Sequence, residues 1–178
     1  MLSPSPSFAT GHPAPPGSLR RAESEQALNQ RKAALKDYSE AIRFHPGDWF
    51  IYMRRARLHN AMRACRSAIA DLEQILILRA DWSEPYALGA SILAGCPDSN
   101  LRDPKKAIAW AERAISLDKN RPTLLTILAL AYASDGQLDK AVAAQRRALN
   151  SQNFPMPYRE NAEHQLRKYE ADLSRQGK

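Results

Sequence analysis

Between residues 125 and 149 apolar side chains return at helical spacing, stop, and return again. Leu125, Leu128, Ala129 and Tyr132 fall at i, i+3, i+4 and i+7, Asp135-Gly136 interrupts, and Leu138, Ala141, Val142, Ala148 and Leu149 resume the stripe. The pattern predicts two short helices joined by a tight glycine turn. Small alanines at the crossing let an antiparallel pair approach closely. Neither helix buries both of its apolar edges alone, so the hairpin requires neighbours.

The same pattern recurs in steps of 34 residues. With Pro122 as position 1, positions 8 and 20 are Ala129 and Ala141. Units beginning at Pro15, Trp49 and Ser83 put Ala22, Ala56 and Ala90 at position 8 and Ala34, Ala68 and Ala107 at position 20, the last after an insertion of five residues. Leu35, Ile69, Ile108 and Val142 share position 21, and Ala41, Ile75, Ala114 and Ala148 share position 27. The register predicts helix pairs over residues 15–48, 49–82, 83–121 and 122–155, after a Pro/Ser-rich tail (1–14) that cannot bury enough surface to order itself. The first unit is the weak one, with Ser18 at position 4 and Glu25 at position 11, so its first helix is weakly apolar.

The insertion, Gly95 to Pro104, is well punctuated. Gly95 and Pro97 stop one helix, and Asp103 with Pro104 is a cap-and-start pair for the next, with Leu101 placed to tuck against the hairpin. Beyond Pro155 and Pro157, Tyr158, Ala162, Leu166, Tyr169 and Leu173 make one apolar stripe opposite Arg159, Glu160, Lys168 and Glu170. Residues 156–178 are therefore expected to form a capping helix over the last pair, in preference to a partner-binding or membrane-lying helix.

A 34-residue helix-turn-helix with Tyr52, Tyr86 and Leu125 at position 4, Leu93 and Tyr132 at position 11, Tyr38 and Leu72 at position 24 and Pro46 at position 32 resembles the tetratricopeptide repeat. The wording LAGCPDSNLRDPKKAI is similar to an insert of bacterial members. The resemblance implies an all-α fold, a right-handed α-solenoid, that works without catalysis as a protein-protein interaction module. It implies a concave groove gripping a peptide through positions 2, 5, 9 and 12. Carried over, these include Phe50, Met53, Arg57 and Asn60 in the second unit, Glu84, Ala87 and Ser91 in the third, and Thr126 and Leu130 in the fourth. Phe50 and Met53 form the expected apolar pad, and Arg57 with Asn60 the expected hold on a carboxylate or peptide backbone.

Composition adjusts this picture only slightly. The 178 residues carry 44% hydrophobic and 25% charged side chains and a formal charge of +7, so an acidic partner suits the surface and nucleic acid is the competing reading. Arg54, Arg55, Arg57, Arg63 and Arg66 are the densest basic cluster, read first as a solvated face and without interleaved aromatics for base stacking. No apolar run is long enough to span a bilayer and no leader pattern opens the chain, so a soluble cytoplasmic protein is expected, alone or as a regulatory part of a larger signalling protein.

Catalytic, metal and cofactor motifs are not found. His12, His45, His59 and His164 fit no HExxH pattern, and neither a GxxxxGK loop nor a GxSxG elbow occurs. No cofactor is expected. Acidic residues such as Asp71 and Glu73 read as helix-surface groups, His59 reads as a ring packed between helices, and Cys65 and Cys96, far apart with no CxxC, read as small packed or loop residues.

Overall fold

The computed structural model describes residues 18–176, with side chains from residue 26 onward. The predicted tail and His12 lie outside the described residues, as do the side chains of Ser18, Ala22 and Glu25. The chain divides into two units, residues 1–37 and 38–178.

Eight α-helices and one 3-10 turn are formed among the described residues, and no strand. The first helix, α1, runs unbroken over Ser18–Phe44. Here the structure departs from the expected pair of helices. The stretch Gln26-Ala27-Leu28-Asn29-Gln30, where the repeat register calls for a turn, holds neither glycine nor proline, so nothing in it stops a helix.

Within the second unit three hairpins follow: α2 (Trp49–Ala61) with α3 (Cys65–Leu78), α4 (Ser83–Gly95) with α5 (Pro104–Leu117), and α6 (Thr123–Ser134) with α7 (Leu138–Leu149). A 3-10 turn at Ser99–Leu101 lies in the insertion, and α8 (Met156–Gln176) closes the order. Capping sets the boundaries. Asp48 accepts from the Phe50 N–H at 2.9 Å to start α2, and Asp103 accepts from the Lys106 N–H at 3.0 Å to start α5, with Pro104 as its first residue.

The alanines of the register are the helix crossings. Ala56, Ala68, Ala90, Ala107, Ala114, Ala129, Ala141 and Ala148 are all 0% exposed, which is the close approach the 34-residue step predicts. The turns are equivalent too. Gly136, at position 15 of its unit, has φ 77°, and Arg63, at the same position of the second unit, has φ 58°. A left-handed arginine costs about 1 kcal/mol that glycine avoids; the bond from the Ala64 N–H to the His59 carbonyl, 2.9 Å, matches that from the Gln137 N–H to Tyr132 and holds the turn closed. Leu101 packs against the cluster of Tyr52, Met53, Leu72 and Ile75, as expected from the insertion's punctuation.

Cys65 and Cys96 form a disulfide, which corrects their reading as unconnected residues. Cys65 opens α3 and Cys96 closes α4, so the two stand at the turns of successive hairpins. Their separation of 31 residues is close to one repeat, and stacking hairpins brings such positions together.

Candidate functional site: a groove bounded by α4, α6 and α8

A cavity of about 420 Å³ opens between α4, α6 and α8. Its α6 wall is Thr123, Thr126, Ile127 and Leu130, its α8 wall Tyr158, Asn161, Ala162, Gln165 and Tyr169, and Ser91, Gln145, Phe154 and Arg121 complete the lining. Helical spacing explains the α8 wall. Tyr158, Asn161, Ala162, Gln165 and Tyr169 are three, four, seven and eleven residues along one strip, so a single face supplies two carboxamides between two rings. That helix is fixed by Gln145, 1% exposed, whose amide donates to the Ala162 carbonyl at 2.9 Å, and by the packing of Tyr169 with Ala129, Ala141 and Val142. Ala162 and Tyr169 therefore pack as a cap should, while Tyr158, 61% exposed, stands on the groove's rim.

Little in the groove is suited to moving protons. The Thr126 hydroxyl donates back to the Thr123 carbonyl at 2.7 Å. Burial pushes the Tyr169 phenol above its ordinary 10, so it stays protonated at neutral pH. The other polar groups are amides, hydroxyls and the Arg121 guanidinium, over an apolar floor of Phe154, Ile127 and Leu130.

A second cavity of about 370 Å³ is lined by Asn60, Arg63, Ser91, Leu130 and both cysteines. Ser91 and Leu130 line both cavities, so the two adjoin.

Of the nine residues carried over from the repeat pattern, Ser91, Thr126 and Leu130 thus meet in the main groove and Asn60 lies at the second cavity. Met53 and Ala87 are core residues, each 3% exposed, and present no surface to a ligand. Phe50 is 49% exposed but lines neither cavity, and the Arg54 guanidinium sits 4.8 Å over its ring. Arg57 and Glu84 are partners of each other. Glu84 accepts from Arg57 at 3.2 Å and from Arg121 at 2.6 Å, so the carboxylate expected of a partner is already supplied within the chain.

The basic cluster also divides. Arg55 is not a solvated residue: its guanidinium grips Asp71 through Nη2 at 2.6 Å and Nε at 2.9 Å, and donates to the Ser39 hydroxyl at 3.0 Å. Asp71, read as a surface group, is 3% exposed. The rings against the cluster lie on α2 itself, with Arg54 4.8 Å from the Phe50 ring and Arg55 5.8 Å from Tyr52, while outside the cluster Trp49 and Trp82 come from the ends of neighbouring hairpins. Arg79 lies 5.0 Å from the Trp49 ring and 5.6 Å from Trp82, so the chain's own arginine covers these faces.

His59 is packed as expected, its side chain 17% exposed and its Nε2 4.0 Å from Asp71. Its Nδ1 is buried with no hydrogen-bond partner among the described residues. Burial lowers its pKa below the ordinary 6.5, against the pull of Asp71 and with the help of the nearby Arg55 charge. Between that lowered value and 6.5 the unfolded chain binds more protons here than the folded one, so this contribution is full above 6.5 and is lost as pH falls through the window. The urea midpoint of the wild type should therefore drop more between pH 7 and pH 5 than that of His59→Gln. Parallel pH profiles would contradict the assignment.

Residues 122–154 match the family described as Tetratricopeptide repeat. The human Tetratricopeptide repeat protein 34 is 24% identical over 164 residues, which covers 80% of this chain and 29% of the human protein, so the chain spans under a third of that relative's length. Among solved structures, MamA 41-end from Desulfovibrio magneticus RS-1 is 18% identical, with a TM-score of 0.63 over 92% of this chain and 97% of that one. YrrB, described as a TPR protein with an unusual peptide-binding site, is 18% identical with a TM-score of 0.63 over 86% of this chain and 74% of its own. At these identities the structural likeness establishes the fold.

Proposed function

We propose that this chain, a tetratricopeptide-type helical-repeat protein, is a non-catalytic interaction module that holds an extended peptide segment in the groove between α4, α6 and α8. One observation carries the reading: Asn161 and Gln165 stand one helical turn apart on the groove wall, above an apolar floor. A carboxamide offers both a donor and an acceptor, which is what an extended backbone needs from a wall it runs along, while Phe154, Ile127 and Leu130 receive alternate side chains. A preformed cleft of this size lowers the ordering cost of binding. YrrB, whose fold this chain shares, is described as having a peptide-binding site, which supports the same use here.

An acidic segment fits one end. Arg121 lines the groove while bonded to Glu84, so a carboxylate arriving there competes with an intrachain one, and acidity is a preference the chain partly satisfies for itself. The covering of Trp49, Trp82 and Phe50 by Arg79 and Arg54 disfavours the nucleic-acid reading, because free ring faces are what stacked bases require.

The test is selection of a displayed library of random dodecapeptides on the full chain. Asn161→Ala with Gln165→Ala should weaken a selected peptide about 30-fold, roughly 1 kcal/mol for each lost hydrogen bond, and leave the melting temperature within a few degrees. Selected peptides whose affinity ignores both substitutions would place binding elsewhere.

A further inference from the structure

The Cys65–Cys96 bond ties the start of α3 to the end of α4, and so links the turns of two successive hairpins. The Cα atoms are 6.3 Å apart, within the ordinary span of a disulfide. Both residues are largely covered, at 5% and 2% exposure, yet both line the second cavity, so a small reductant has a route to them. Ser91 and Leu130, which line that same cavity, belong to the main groove as well. The end of α4 is also fastened to the insertion. Arg102 Nε donates to the Cys96 carbonyl at 2.7 Å, and the Asp103 N–H donates to the Leu93 carbonyl at 3.0 Å.

We infer that Cys65–Cys96 is a reversible redox clasp that sets how firmly the groove-lining end of α4 is held against the α2–α3 turn. The inference rests on the peptide-groove reading for its purpose, but not for its chemistry. A dithiol reductant attacks one sulfur through its thiolate, forming a mixed disulfide and releasing the other cysteine. The reductant's second thiol then resolves it, so two electrons and two protons convert the bond to two protein thiols while the reductant becomes a disulfide. Released from Cys65, α4 keeps its bonds to the insertion but loses its covalent tie to the preceding hairpin, and Ser91 moves with it. A reducing cytoplasm would keep the pair open, and an oxidising compartment or an oxidative burst would close it.

The experiment compares the full chain held in oxidised glutathione with the same chain in dithiothreitol, by N-ethylmaleimide labelling, thermal melting and hydrogen exchange. The oxidised chain should take up no label and the reduced chain two. Closing a loop of this length should raise the melting temperature by about 10 °C. Exchange in residues 60–68 and 91–101 should quicken at least about tenfold on reduction while residues 138–149 hold their protection. Cys96→Ser should show the reduced exchange pattern without any reductant and take up one label, which separates loss of the bond from an effect of the reagent.

Labelling of the oxidised chain, or exchange that does not change with redox state, would overturn the clasp. So would an equal loss of protection in residues 138–149, since the bond would then be a global staple. None of the three readouts uses a peptide, so this inference and the peptide reading can fail separately.

Discussion

Arg55→Leu should lower the free energy of unfolding by about 3–5 kcal/mol, and adding Asp71→Ala should return most of that loss. Asp71 is 3% exposed, and its carboxylate is held by two nitrogens of Arg55 at 2.6 and 2.9 Å. Removing the arginine alone leaves an anion buried with His59, at 4.0 Å, as its remaining ion-pair neighbour among the described residues, so the cost is mainly that of an uncompensated charge. The repeat itself supplies the remedy. Arg55 and Asp71 occupy positions 7 and 23 of their unit, and the fourth unit has Leu128 and Ala144 at those positions, both buried. The double variant gives the second unit the fourth unit's solution to the same space. Urea denaturation of the two singles and the double forms the cycle, and a double variant as unstable as Arg55→Leu would refute the equivalence.

Gly89→Ala should cost about 2–3 kcal/mol, far more than a methyl group usually does. Gly89 is position 7 of the third unit and Trp110, after the insertion, is position 23. A Cβ on Gly89 would overlap the six-membered ring of Trp110 well inside van der Waals contact. The indole has little freedom to withdraw: it packs edge-on against Tyr86, with ring centroids 5.8 Å apart, and Lys106 Nζ sits 5.1 Å over its face. Glycine is therefore required here by space and not by φ. Pairing Gly89→Leu with Trp110→Ala, again after the fourth unit, should be better tolerated than Gly89→Ala. Thermal melts decide it, and a Gly89→Ala chain melting with the wild type would mean that the ring is not seated as described.

Three hairpins therefore fill one register locus in three ways: an ion pair, an indole over a glycine, and a leucine with an alanine. This explains what the sequence shows and what it hides. Small residues stand at positions 8 and 20 of the second, third and fourth units because two helices cross there, so the 34-residue step is legible from alanines alone. Positions 7 and 23 have no fixed chemistry, and a charged pair such as Arg55 and Asp71 looks like helix surface until the pairing is known. The disulfide is hidden for a related reason. Motif spacing looks for cysteines close in sequence, whereas these meet because 31 residues is nearly one turn of the repeat.

α1 shows the opposite failure. Its alanines at positions 20 and 27 keep the register, but with no glycine or proline in residues 26–30 the chain has no reason to turn, and local helix propensity governs. Of the residues the repeat pattern nominates, Ser91, Thr126 and Leu130 line the cleft, and the pattern nominates none on the α8 wall. The apolar stripe of that helix was legible as a cap, but Asn161 and Gln165 on the adjoining face come to line a cleft only once α8 lies across α7 and beside α6. Met53 and Ala87 went the other way: they sit at groove positions by register and are covered in the folded hairpins.

Hydrogen exchange of the oxidised full chain, with and without a library-selected dodecapeptide, tests the groove most directly. A peptide held in the groove should add protection in α4, α6 and α8, centred on residues 91, 123–130 and 158–169, with α2 and α3 unchanged. Protection confined to α2 and α3 around Phe50 and Arg57, or no protection at all by a peptide that binds, would contradict it.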